Sequence, residues 1–213
     1  MKKSIIAVLI VALALTGGTA FAAGNKIERG TSEFSVFTSI DTSESYASNT
    51  PENKSIDQST SIDLRYGYFL TQGLQLGVSY SGSLSKSWSE TNGSKDAGSE
   101  SETQFTFLYL DLKYNFVFDS SQTVVPYLGV GLGTAATKST YQDAGGATQT
   151  ATGSGMSTAL MGGLKFFITE NTSFNVELRV DSFTYEPDIP GGGPKVEYTT
   201  DTVGMNLGLS VYF

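Results

Sequence analysis

The residues best placed to do chemistry in this chain are charged side chains spaced two apart: Asp63 and Arg65, Asp111 and Lys113, Glu177 with Arg179 and Asp181, and Lys165 by itself. In an extended strand, positions i and i+2 share a face, so each group brings opposite charges to one side. The signs balance, with Asp63, Asp111, Glu177 and Asp181 against Arg65, Lys113, Lys165 and Arg179. Such a set can pair internally and fill a confined space, or it can line a narrow polar path or gate for small solutes. A buried charge stripped of its partner costs about 3–5 kcal/mol, which favours the paired, plugged state. Bond-breaking chemistry has little to work with. The sequence contains 0 His and 0 Cys, which removes His-dependent triads and dyads and any imidazole or thiolate metal site. No motif points to a Ser–Lys or paired-carboxylate mechanism, so no catalytic, cofactor-binding or metal-binding residue is assigned and no enzyme is expected.

The elements that must carry these charges show apolar/polar alternation of period two, the signature of a strand. Ile62, Leu64, Tyr66, Tyr68 and Leu70 share one face, opposite Ser61, Asp63, Arg65 and Gly67. The same pattern recurs in Leu74–Leu84, Leu108–Phe116, Leu128–Leu132, Leu160–Ile168, Phe174–Val180 and Val203–Phe213. A first segment at roughly 31–43 is less regular, because Phe34, Val36 and Ile40 agree while Phe37 falls on the other face. Eight strands are therefore predicted. The breaks after the second, fourth and sixth are short. Those after the first, third, fifth and seventh are long and polar: Glu44 to Asp57, Lys86 to Ser101, Ala136 to Gly155, and Tyr185 to Lys195. The last holds Gly191-Gly192-Gly193 between Pro190 and Pro194, which reads as a turn-rich loop tip.

Ahead of the strands stands an export signal. Lys2 and Lys3 precede an apolar run from Ile5 to Leu15 and a small-x-small site at Ala20-Phe21-Ala22. The run is too short for a helical span, which needs roughly 20 residues. The expected organisation is a signal peptide over 1–22 and one domain over 23–213. Loss of Lys2 and Lys3 takes the net charge from −8 to −10. Acidity of this kind argues against nucleic acid as a partner, since phosphate binding needs clustered Lys and Arg.

Alternation does not by itself choose between a membrane barrel and a soluble barrel or sandwich with its apolar face inside. Three features favour the membrane. The polar face is rich in Gly and Ser with a few charges of both signs, which suits a narrow eight-stranded lumen. The apolar faces carry no charge in their central parts, and Lys or Arg at the lipid midplane costs roughly 2–4 kcal/mol. Aromatics gather at the short-turn ends, at Tyr68, Phe69, Tyr114, Phe116, Phe166, Phe167 and Phe174, as an interfacial girdle would. The other rim is marked by Tyr80, Trp88, Phe183, Tyr185 and Tyr198. In hydrocarbon a sheet cannot leave an open edge, so the first and last strands must pair. The expected fold is all-β: a closed antiparallel transmembrane β-barrel of about eight strands, with short periplasmic turns and long extracellular loops.

Two other motifs carry little. Gly129-Val130-Gly131-Leu132-Gly133 imitates a dinucleotide loop but repeats at period two with no helix after it. Its glycines are expected to make room for large lumen side chains of neighbouring strands. Asn92-Gly93-Ser94 matches the glycosylation triplet by coincidence.

The chain ends on a strand with Leu207, Leu209, Val211 and the terminal Phe213 on one face. That ending resembles the C-terminal signal read by the outer-membrane assembly machinery. Tyr66-Gly67-Tyr68-Phe69-Leu70-Thr71, Pro126-Tyr127-Leu128-Gly129-Val130-Gly131 and Gly163-Leu164-Lys165-Phe166-Phe167-Ile168-Thr169 resemble the OmpA-like outer-membrane β-barrel domain family. The resemblance covers the barrel alone, without a peptidoglycan-binding domain. It implies a monomer in the outer membrane of a Gram-negative-type bacterium, in contact with lipid and lipopolysaccharide, with a structural or surface-interaction role. Enzymes that resemble this scaffold, the outer-membrane proteases, phospholipases and lipid A deacylases, rely on His. Two alternatives stand beside this reading: a small porin or transporter for small, even hydrophobic, solutes, and a soluble lipocalin-like carrier.

Overall fold

The computed structural model describes residues 25–47, 50–92, 94–96, 98–142, 146–188 and 198–213; the predicted signal peptide and the Gly191–Gly193 tip lie outside them. The described residues are organised as β1 (Ser32–Ala47), β2 (Thr50–Phe69), β3 (Leu74–Thr91), a two-residue β4 (Ser94–Lys95), β5 (Ser101–Asn115), β6 (Val124–Gln142), β7 (Thr148–Thr169), β8 (Thr172–Asp188) and β9 (Tyr198–Tyr212). Every pairing is antiparallel, in the order β2-β1-β9-β8-β7-β6-β5-β3-β4, and β2 also pairs β3. The sheet is therefore a closed eight-stranded barrel, with β4 appended to β3 opposite Glu90 and Thr91. Ser32 and Phe213 exchange backbone hydrogen bonds of 2.8 and 3.0 Å, so both ends of the barrel domain meet at the short-turn rim.

The direction of the two faces decides what kind of barrel this is. Leu110 is 57% exposed while Arg65 is 3% exposed. Leu64, Val78, Leu128, Leu160, Leu164 and Leu178 also point outward. A carrier of the lipocalin kind would reverse this arrangement, so that alternative falls. An outward apolar belt with no charge in it is stable where lipid covers it.

Strand ends differ from the sequence reading in an informative way. Much of the polar stretches read as long loops continues as strand, so β1 reaches Ala47 and β2 starts again at Thr50. Likewise β6 runs to Gln142 and β7 starts at Thr148. Ser and Thr in these stretches satisfy the ladder as well as apolar residues do, and paired polar strands beyond the belt need no hydrophobic partner. Period-two hydropathy reports only the part of a strand that meets lipid.

Several rings also change sides. Phe69, Phe167 and Phe183, expected in the aromatic girdles, are buried in the lumen, and so is Phe37. The reason is parity. In Tyr68–Phe69 and Phe166–Phe167 neighbouring side chains point to opposite faces, and only one of each pair can meet lipid. Ile27, Phe69, Val125, Phe167 and Tyr212 form an apolar seal at the short-turn rim. Residues 25–31 lie over that rim, held where the Asn25 amide donates to the carbonyls of Asp119 and Gln122 at 3.2 and 2.9 Å.

The Gly129–Gly133 run leaves room in two ways. A Cβ at Gly129 would press on Lys113 and Met161, and one at Gly131 on the Asp111 carboxylate and the Tyr109 ring. At Gly133 the obstacle is the backbone carbonyl of Leu108. The first two positions make space for lumen side chains and the third lets two strands approach.

Candidate functional site

The lumen is built in layers, each supplied by inward positions of several strands. Directly above the apolar seal, Lys165 of β7 donates to Glu33 of β1 at 2.6 Å. Glu33 also accepts from Gln75 at 2.7 Å, from Ser210 at 2.7 Å and from Ser35 at 2.9 Å. The Lys165 ammonium stands 5.4–5.5 Å from the ring centres of Phe69, Tyr127 and Tyr212, a box of aromatic faces around a cation.

The next layer joins opposite walls. The Arg65 guanidinium of β2 binds Glu177 of β8 through two parallel bonds of 2.6 and 2.8 Å, and Asp63 at 2.7 Å. A fork-on-fork contact of this kind is the strong geometry for an arginine–carboxylate pair. Glu177 also accepts from the Tyr127 hydroxyl at 2.9 Å and from the Asn206 amide at 3.2 Å. Phe37 lies beneath Arg65, with the guanidinium carbon 4.0 Å from the ring centre. The third layer holds Arg179, whose Nε donates to both oxygens of Asp181 at 2.9 Å over the face of Tyr109. Tyr109 donates to Asp181 at 2.8 Å.

All eight residues singled out from sequence therefore point into the barrel. Arg65, Asp63 and Glu177 are brought together, as are Arg179 and Asp181. Lys165 pairs with Glu33, which the sequence reading missed. The signal was present: Glu33, Ser35 and Phe37 continue the polar face of β1, but the irregular first segment hid it. With Glu33 added, acids outnumber bases inside. Asp111 and Lys113 lie beside the first two layers, next to Glu33, Gln75 and Arg65. Among the described residues the Asp111 carboxylate oxygens accept no hydrogen bond. Both residues line a cavity of about 10 Å³ with Arg65, Gln75 and Glu33.

Above the third layer the lumen widens into a vestibule of about 620 Å³. Its floor is Asp63, Arg179 and Asp181. Serines of β1, β2 and β3 line one side, and Phe105, Phe107 and Phe183 line the other. Phe183 packs edge to face on Phe105 and Phe107, with centres 5.4 and 5.5 Å apart, and with Tyr109, Ala135, Ala159 and Met161 these rings close the β5–β8 side.

A closed antiparallel barrel with a lipid-type exterior and a charged, layered lumen defines the class of small outer-membrane barrels. The chain belongs to the outer membrane protein beta-barrel domain family, whose pattern matches residues 7–213. Neisserial surface protein A is similar in structure at 16% identity, over 86% of this chain and 97% of that one, with a TM-score of 0.53. The outer membrane protein OprG from Pseudomonas aeruginosa is similar at 14% identity, over 90% and 99%, with a TM-score of 0.52. At such identities the likeness is one of fold. No curated protein matches the chain. The four residues read as an assembly signal lie on the lipid side of β9, with Leu209, Val211 and Phe213 exposed and Leu207 half-buried.

Proposed function

We propose that this chain is a non-catalytic barrel of the cell outer membrane of a Gram-negative-type bacterium, with a structural or surface-interaction role and a lumen shut by its own charges. The observation that carries the reading is the Arg65–Glu177 contact, which joins β2 to β8 with both side chains almost fully buried. Together with Lys165–Glu33 below and Arg179–Asp181 above, it fills the cross-section with paired groups rather than open space. The apolar seal beneath adds a second barrier. Lipid and lipopolysaccharide are the partners the outward belt fits, and Leu207, Leu209, Val211 and Phe213 are the face offered to the assembly machinery. The barrel acts as a monomer in this reading.

The test is a planar-bilayer recording on refolded barrel. No steady openings are expected. Sustained conductance would overturn the plug and favour the second reading, a small-solute porin, for which the 620 Å³ vestibule would be the entrance. Openings that survive neutralisation of Arg65 and Arg179 together would exclude either residue as its gate.

A further inference from the structure

Seven of the eight seams of the barrel are paired far up the wall, and one is not. The β8–β9 ladder continues to Tyr185 opposite Tyr198, and the β1–β2 ladder to Ala47 opposite Thr50. Between β1 and β9 the ladder stops at Thr38 opposite Leu207. Above that point, among the described residues, Ser39–Ala47 and Tyr198–Asn206 are strands paired on one side only. Val203 lies ten residues before the terminal Phe213. At about 3.4 Å per residue and a tilt near 40°, that is roughly 26 Å of height, the thickness of the apolar belt of an outer-membrane barrel. The seam therefore parts inside the upper edge of the belt, in the leaflet facing the long connections.

The vestibule reaches the same place. Its lining includes Ser39, Gly204 and Asn206, which face the lumen, but also Val203 and Met205, which are 73% and 59% exposed on the outer face. The cavity therefore borders the whole run of β9 from Thr202 to Asn206, the stretch that has no β1 partner, and not its inward residues alone. Gly204 widens the gap, since a Cβ placed there would meet nothing within 4 Å. Backbone groups unpaired at this depth are costly against hydrocarbon, so the seam needs an occupant that offers polar atoms on the lumen side and an apolar body on the other.

We propose that the vestibule and the β1–β9 seam form a binding site for a single-chain amphiphile with an uncharged, hydroxyl-bearing head. The head lies in the vestibule and the chain leaves through the seam past Val203 and Met205 into the outer leaflet. Three features select this class. The serine wall, from Ser59 to Ser85, donates and accepts and so matches hydroxyls. Asp57, Asp63 and Asp181 outnumber Arg179 around the cavity, which disfavours an anionic head. Arg179, the one cation in the lining, already donates to both oxygens of Asp181, so its charge is not free to hold an anionic head. A volume of about 620 Å³ lies within the range of roughly 300–1,000 Å³ usual for small-molecule sites.

The inference rests on the membrane reading above, and the experiment separates the two. The full mature barrel is inserted in phosphatidylcholine vesicles with monolauroylglycerol carrying a diazirine near the end of its chain. After illumination the labelled peptides are mapped by mass spectrometry. Labelling at Val203–Asn206, competed by unmodified monolauroylglycerol, supports the site. It should be lost in Gly204→Trp and kept in Gly82→Trp, which fills an equally open position on the outer face of β3. A second variant, Ser39→Cys with Asn206→Cys, uses the absence of cysteine in the chain. Oxidation should close the seam and abolish the labelling, and reduction should restore it. Labelling of Leu110 and Leu164 with none at the seam, or seam labelling indifferent to Gly204→Trp and to oxidation, overturns the proposal and leaves the membrane barrel standing. No labelling at Leu110, Leu164 or the seam overturns both.

Discussion

Replacing Arg65 by Met tests whether the charged layer is dry. Arg65 lies between two carboxylates, Glu177 at 2.6 Å and Asp63 at 2.7 Å, and its side chain is 2% exposed. Met has a similar apolar length, can keep its place over the Phe37 ring, and leaves both acids unpaired. Breaking a buried pair in this way costs about 3–5 kcal/mol, although Tyr127 and Asn206 still donate to Glu177. Glu177→Gln should cost less, roughly 1.5–3 kcal/mol, the value of hydrogen bonds to a charged group, because Asp63 remains to balance Arg65. The double variant should lose less than the sum, with a coupling of about 0.5–3 kcal/mol for residues in one network. The assay is equilibrium urea unfolding in lipid vesicles, followed by Trp88 fluorescence and by the gel shift between folded and heated barrel. Salt provides the control, because a desolvated pair is weakly screened whereas charges in a water-filled lumen are screened within about 8–10 Å. A loss below about 1 kcal/mol for Arg65→Met, the usual value of a solvated pair, together with strong salt dependence, would refute a dry lumen and the plug with it.

Gly155→Ala should prevent proper closure of the β7–β8 ladder, since a Cβ there would collide with the Thr184 carbonyl of the facing strand; the folded band on an unheated gel should disappear, whereas Gly204→Ala should leave it unchanged. Lys165→Met should cost about 3–5 kcal/mol by leaving Glu33 buried without its cation, and Lys165→Met with Glu33→Gln should recover most of the loss in the same urea titration. Deleting Phe213 should slow assembly into outer-membrane vesicles, measured as the rate at which protease-resistant barrel appears; an unchanged rate would remove this residue from the assembly signal. In the turn between β5 and β6, the Ser121 hydroxyl and backbone N–H hold the Asp119 carboxyl below the usual range. A depressed carboxylate favours the folded turn above its unfolded pKa and stops doing so as pH falls through its folded value. Ser121→Ala should therefore move the Asp119 titration, followed by carboxyl NMR shifts, upward toward the ordinary value.

Period two is a local property, so the strands of the lipid belt, the faces of Leu64, Leu110 and Leu178, and the inward direction of Asp63, Arg65, Glu177 and Arg179 could be read from neighbouring residues alone. The clean belt, the rule that a spanning sheet must close, and the terminal Phe213 carried the inference from strands to an outer-membrane barrel. Three things were beyond that reach. Polar strand beyond the belt, such as Thr148–Ser154, carries no hydropathy signal because both of its faces meet water or other polar groups. Pairing across the lumen depends on which strands stand opposite after closure: Arg65 meets Glu177 because β2 and β8 face each other, and Lys165 meets Glu33, 132 positions away in the chain, for the same kind of reason. The seam above Thr38 and Leu207 is likewise a matter of register between the first and last strands, which no neighbouring residue encodes. Alternation tells each side chain whether it looks in or out; only the closed sheet decides whom it meets there.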